Sequence, residues 1–142
     1  MAYQLSIFVE NSPGKLERIT KILADEKLNV RGICLASAGE FGIVKIIVDD
    51  PDKAYDKLKE SSFTVSKRNI IAVRIDDKPG SLCNLLTILS SNKINIEDCY
   101  GVSVAYNNSA LMIVEVEKYP DVESVLKKNN IETLTDKEVY SI

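Results

Sequence analysis

The segment Asn11-Ser12-Pro13-Gly14-Lys15-Leu16 constrains this chain most, because it returns 66 positions later as Asp77-Lys78-Pro79-Gly80-Ser81-Leu82. Each copy follows a run of alternating apolar residues and precedes apolar residues at three- and four-residue steps. Alternation is the period of a half-buried strand, and the longer spacing that of an amphipathic helix. Each copy therefore predicts a tight turn that carries a strand into a helix. Such a turn leaves bare N–H groups at the helix N-terminus. The chain reads as two copies of one module.

The flanking residues repeat in the same order. Leu5, Ile7 and Val9 return as Ile71, Val73 and Ile75. The helix stripe Leu16, Ile19, Ile22 and Leu23 returns as Leu82, Leu85, Ile88 and Leu89. Lys27, Asn29 and Val30 return as Lys93, Asn95 and Ile96. Residues 30–37 predict a second strand broken by Gly32, residues 39–42 a hairpin turn, and residues 43–49 a third strand. On that strand Val44, Ile46 and Val48 share one face, and they match Ala110, Met112 and Val114. Asp50-Pro51-Asp52 opens a second helix, with proline favoured at a first helical position. Ala54 and Leu58 face inward, Ser61-Ser62 ends the helix, and residues 63–66 form a short fourth strand. Here the spacing drifts to 68, so that Val122, Leu126 and Ile131 match Ala54, Leu58 and Phe63. An ordered set of matches like this is the mark of an internal repeat.

Strand, helix, strand, strand, helix, strand is the ferredoxin-like order. The expected class is α+β: two βαββαβ modules, each an antiparallel sheet with its helices on one face. Residues 1–68 form the first module and residues 69–142 the second, joined by Lys67-Arg68-Asn69. Thr135-Asp136-Lys137-Glu138 has the capping-box pattern of a short C-terminal helix. A module of about 70 residues is near the lower limit for holding a core alone. The two are therefore expected to pack side by side and to form a homodimer. Gln4, Ser6, Phe8 and Glu10, with Ala72, Arg74 and Asp76, make a mixed second sheet face, expected to be partly open or to meet a partner.

Composition excludes several functions. A net charge of −3 argues against a nucleic acid partner, which needs clustered Lys and Arg. Phe8 is a lone aromatic on the second face, and its equivalent is Arg74. The chain has no His, and Cys34, Cys83 and Cys99 show no CxxC spacing, so neither a metal site nor a cofactor is expected. No Ser or Cys has an evident base beside it, so no catalytic residue and no enzyme activity are expected. Asp49-Asp50 and Asp76-Asp77 read as turn chemistry rather than a cation site. The three Cys read as buried free thiols of a reducing, cytoplasmic compartment. An amphipathic strand pattern follows Met1 at once, which reads as no signal peptide, and no apolar run suits a membrane.

An apolar strand, then Asn/Asp-x-Pro-Gly-x-Leu, then an amphipathic helix ending before Asn-Val or Asn-Ile, resembles the ACT domain. That is a small-molecule-binding regulatory module of amino-acid metabolism. The resemblance covers nearly the whole chain, twice. It implies a non-catalytic tandem sensor that binds an amino acid where two modules meet edge to edge and that regulates a partner enzyme. Carried over, one site comprises Asn11, Ser12, Pro13, Gly14, Lys15 and Leu16, and another Asp77, Lys78, Pro79, Gly80, Ser81 and Leu82. The second strand of an apposed module supplies the other wall, around Ile33, Cys34 and Leu35 or Cys99, Tyr100 and Gly101. The copies differ, Asn11 against Asp77 and Ser12 against Lys78, so one site can be degenerate. The chemistry suits a zwitterion. Helix N–H groups favour a carboxylate, glycine permits close approach, and Asp77 or the Asn11 amide oxygen accepts from an ammonium group. Two alternatives stand beside this reading: each turn is only a helix entry, or the chain is a protein-interaction module with no small ligand.

Overall fold

The computed structural model describes residues 2–102, 108–117 and 119–142. The elements run β1 (Ala2–Glu10), α1 (Lys15–Asp25), β2 (Val30–Ala38), β3 (Phe41–Val48), α2 (Pro51–Glu60) and β4 (Thr64–Asp76). They continue α3 (Ser81–Ser91), β5 (Ile96–Val102), β6 (Ser109–Val116), α4 (Tyr119–Lys128), β7 (Glu132–Thr133) and α5 (Asp136–Val139). Residues Tyr3–Arg68 form one compact unit and Asn69–Tyr140 another. The fold is α+β, with the βαββαβ pattern present twice and antiparallel strand pairs.

In the first unit the strand order is β2-β3-β1-β4. Leu5, Ile7, Val44, Ile46 and Val48 point to one face and pack with Ile19 and Leu23 of α1 and Ala54 and Leu58 of α2. In the second unit the order is β5-β6-β4-β7. There Ile71, Val73, Val114 and Val116 pack with Leu85, Leu89, Val122 and Leu126. Full burial of each such side chain contributes about 1.5–3 kcal/mol against leaving it in water.

Helix ends repeat as closely as the cores. Lys27, Ser62, Lys93 and Asn130 all take positive φ just past a helix. In each case the next N–H donates back to a carbonyl five residues earlier: Leu28 to Leu23, Phe63 to Leu58, Ile94 to Leu89 and Ile131 to Leu126. This is a Schellman closure made without glycine. Asp50 caps α2 by accepting from the Lys53 N–H at 3.0 Å, ahead of Pro51. The neighbouring Asp49 accepts from the Asn29 N–H at 3.0 Å.

Several expectations are corrected. The short fourth strand and the Lys67-Arg68-Asn69 connector are one uninterrupted strand of 13 residues, β4. Nothing between Thr64 and Asp76 is Gly or Pro, so no residue there breaks extended backbone. The hairpin turn is tighter than residues 39–42, because Phe41 and Gly42 already belong to β3. Ile7 faces Val44 and Leu5 faces Ile46, whereas Val73 faces Met112 and Ile71 faces Val114. The equivalents of Val44, Ile46 and Val48 are thus Met112, Val114 and Val116, and the spacing becomes 68 before β6. Leu82 sits outside the core at 40% exposure, with Leu86 beside it at 36%. Of the three thiols Cys83 is exposed, and Cys34 and Cys99 are half-buried. Cys99 packs on the second core, and its burial pushes the thiol pKa up. The second sheet face is closed at Gln4, Ser6 and Ala72 and open at Phe8, Glu10 and Asp76.

Leu23→Ala and Leu89→Ala should each lower the unfolding free energy by about 2–5 kcal/mol in urea denaturation. Leu82→Ala should cost no more than about 0.5 kcal/mol, as for a surface residue.

The C-terminal capping box is complete. Thr135 donates its hydroxyl and its N–H to the Glu138 carboxylate at 2.7 and 2.8 Å, and accepts from the Glu138 N–H. These hydrogen bonds hold the Glu138 pKa below its ordinary 4.5. A depressed folded-state pKa gives stability that is present above the unfolded value and lost as pH falls through the folded one. Amide exchange at Val139 should therefore quicken as pH drops below about 4.5, after correction for intrinsic exchange. Thr135→Val should remove that dependence.

Candidate functional site

The two turns share one backbone. Gly14 has φ 85° and ψ −8°, and Gly80 has φ 92° and ψ −18°. Both lie in the left-handed region, where a side chain is strained. Neither glycine is there to relieve crowding, since a Cβ at either would meet nothing within 4 Å. In the first turn the Asn11 N–H donates to Glu40 O, Ser12 to Glu10 O, Lys15 to Ser12 O and Arg18 to Gly14 O. In the second, Asp77 donates to Asn108 O, Lys78 to Asp76 O, Ser81 to Lys78 O and Asn84 to Gly80 O. Every bond of one turn has its counterpart in the other. Neither helix has a side-chain N-cap, and a Cβ on either glycine would enter open space.

Neither Asn11 nor Ser12 caps α1. The Asn11 side chain instead donates its Nδ2 to Gly39 O at 2.9 Å, tying the turn to the β2–β3 hairpin. Gly14 occupies the cap position, and its left-handed backbone carries the chain past any point where those side chains would cap the helix.

Side chains around the turns differ. In the first unit Glu10 and Lys15 pair at 3.6 Å. Asn11, Ser12, Lys15 and Leu16 line a cavity of about 50 Å³ with Leu35, Ser37 and Gly42. Leu35 thus meets its own unit's turn, while Ile33 stands 47% exposed and Cys34 lies opposite Lys45 on β3. In the second unit Lys78 pairs with Asp76 at 2.8 Å, and that carboxylate raises the Lys78 pKa. Lys78, Pro79, Gly80 and Ser81 line a cleft of about 450 Å³. Its other walls come from β4, α3, β6 and the segment after α4, not from Cys99, Tyr100 and Gly101 on β5. Neither Asp77 nor Leu82 lines it.

The cleft gathers residues that the sequence did not single out as a site: Arg74, Asn84, Ser109, Asn130, Ile131 and Glu132. Arg74 donates Nε to Glu132 at 2.9 Å and Nη1 to Ser109 Oγ at 3.3 Å. The available signal was the change of chemistry between repeats, since Arg74 stands where the first copy has Phe8. Among the described residues no cluster of three metal-ligating side chains occurs, and no helix is long and apolar enough to cross a membrane.

Gly14→Ala and Gly80→Ala should each destabilise the protein by about 1–2 kcal/mol in urea denaturation, through left-handed strain alone. Crystal structures of both variants should show the added methyl touching nothing.

The family described as ACT domain pair matches residues 1–142. Protein BT0572 from Bacteroides thetaiotaomicron is 35% identical, with a TM-score of 0.92 over 99% of this chain and 96% of that one. The regulatory subunit of aspartate kinase from Thermus thermophilus, in a ligand-free form, is 17% identical with a TM-score of 0.66, over 88% and 87%. That from Thermus flavus is 16% identical with a TM-score of 0.64, over 88% of each chain. The two Thermus proteins share the fold. No match to a curated protein was found.

Proposed function

This chain belongs to the family of ACT domain pairs, and on that premise we propose that it is a cytoplasmic sensor that binds an amino acid and regulates a partner protein. ACT domains are regulatory modules, and the chain matches the pair from end to end. The observation that carries the reading is the doubled turn, in which two left-handed glycines open the N-termini of α1 and α3 with free space beside each. Helix N–H groups favour a carboxylate, and the acidic and amide groups of the turns suit an ammonium group.

The modules are assigned to residues 1–68 and 69–142. Met1 itself lies outside the described residues. The ligand lies at ACT–ACT interfaces, with Asn11 to Leu16 or Asp77 to Leu82 on one side. The outer strand of an apposed module forms the other wall, through Ile33, Cys34 and Leu35 or Cys99, Tyr100 and Gly101. β2 and β5 stand at sheet edges, where a second copy can add. A homodimer follows from that arrangement. The Thermus relatives are regulatory subunits of aspartate kinase, which supports a separate enzyme as the regulated partner. Signalling then rests on the ligand's differential affinity for two packing states.

A second reading has its own observation. The first unit exposes Phe8, Ile33, Leu35 and Phe41, and an interaction module without a ligand would use such residues.

Thermal unfolding against the twenty amino acids tests the first reading. A ligand at about 100 times its Kd should add roughly 2.7 kcal/mol and raise the midpoint by several degrees. No shift from any of them at millimolar concentration would sink the sensor and favour the interaction module.

A further inference from the structure

Phe8, Ile33, Leu35 and Phe41 are all exposed, but they do not share a face. Ile33 and Leu35 lie opposite Ile46 and Val44 on β3, so they belong to the helix side of the sheet, at its β2 edge. Phe8 and Phe41 point the other way. Strand register sets them in two rows across β1, β3 and β2: Phe8, Ile43 and Ala36, then Glu10, Phe41 and Ala38. Phe8 is 48% and Phe41 65% exposed, Ala36 and Ala38 are exposed, and Ile43 is half-buried. The next row is Ser6, Lys45 and Cys34, where Ser6 is buried and the open patch ends. The second unit has no such patch. There Leu111 stands between Arg74 and Val102, and Ser109 takes the place of Phe41. Leu111 is buried, and Arg74 is tied to Glu132 and Ser109.

The two rows are fitted to meet a copy of themselves. A two-fold contact brings the same surface together from both sides, so each patch must complement itself. A two-fold axis along β3, between two facing sheets, lays β1 of one chain over β2 of the other. Phe8 then falls over Ala36 of the second copy, and Ala36 under its Phe8. Ile43 meets Ile43, Phe41 meets Phe41, and Glu10 falls over Ala38 at the rim. Large over small is the arrangement that lets two layers interdigitate, and sheets packed face to face stand about 10 Å apart. Glu10 is the one charged residue in the two rows, and Lys15 already pairs with it at 3.6 Å. No like charges are therefore forced together at the centre, where two aromatic anchors per chain would sit.

We infer that this patch is a self-association surface, through which two copies of the chain pack their first units face to face by Phe8, Ala36, Phe41 and Ile43. The contact uses neither the β2 nor the β5 edge, so it is independent of edge pairing and of the ligand. Because the second unit lacks the patch, each chain makes one such contact.

Analytical ultracentrifugation of the full chain at micromolar concentration tests it. Phe8→Arg with Phe41→Ser copies the residues that the second unit carries at these places, and should halve the wild-type mass. Ala36→Phe sets Phe against Phe and should do the same. Adding Phe8→Ala to Ala36→Phe restores large over small with the sides exchanged, and should return the wild-type mass. An apolar patch without this register would not respond to the exchange. Thermal unfolding of each variant separates lost assembly from lost folding. A mass that Phe8→Arg with Phe41→Ser leaves unchanged, or that falls only with Ile33→Lys at the β2 edge, would overturn the inference and leave edge pairing standing. So would an Ala36→Phe chain that Phe8→Ala fails to rescue. A wild-type chain that sediments as a monomer would overturn both this contact and the edge-paired homodimer, and would give the patch to a different protein.

Discussion

A single backbone constraint organises each unit: a left-handed residue between a strand that must end and a helix that must begin. Gly14 and Gly80 meet it at φ 85° and 92°. An L-residue there places its Cβ too near the following carbonyl, and relief elsewhere in the fold cannot remove that clash. Once the turn is set, the helix axis is set. Ile19 and Leu23, or Leu85 and Leu89, then land on the apolar sheet face and are fully buried. The same turn leaves the helix N-terminus uncapped by side chains. The feature that fixes the fold is thus also the feature we propose to meet the ligand.

The duplicated architecture was legible because the residues that carry it act through local rules. Alternation in β1 and β4, three-to-four spacing in α1 and α3, Asp50-Pro51 at α2 and the Thr135 to Glu138 box each specify structure within a few residues. The register of β6 was not legible. An offset of two residues preserves strand alternation, so Ala110-Met112-Val114 and Met112-Val114-Val116 fit the first copy equally well as patterns. Only the pairing partner separates them, and pairing is a long-range fact. β4 hid for a related reason, since charged Lys67 and Arg68 look like a linker while remaining compatible with extended backbone.

The candidate site was legible in part. Its glycine turns were, because they rest on φ. The role of Asn11 was not, because its amide can cap a helix or tie a hairpin, and the choice depends on where Gly39 lies. Leu82 kept the helical stripe without being buried, because spacing fixes which face a residue takes and not how far the sheet extends beneath it. Arg74, Ser109 and Glu132 lie on three strands, at positions that only the pairing of β4 with β6 and β7 brings together.

The pattern of divergence has a physical logic. The four backbone bonds of each turn recur because both turns share one left-handed glycine conformation between strand and helix. Side chains at the rim carry no such obligation. Arg18 and Asn84 are both exposed, and exchanging one for the other alters neither core nor turn. A repeat can therefore change its surface at a single residue while the scaffold stays the same. Duplication followed by change at such positions yields two units with one fold and unequal surfaces.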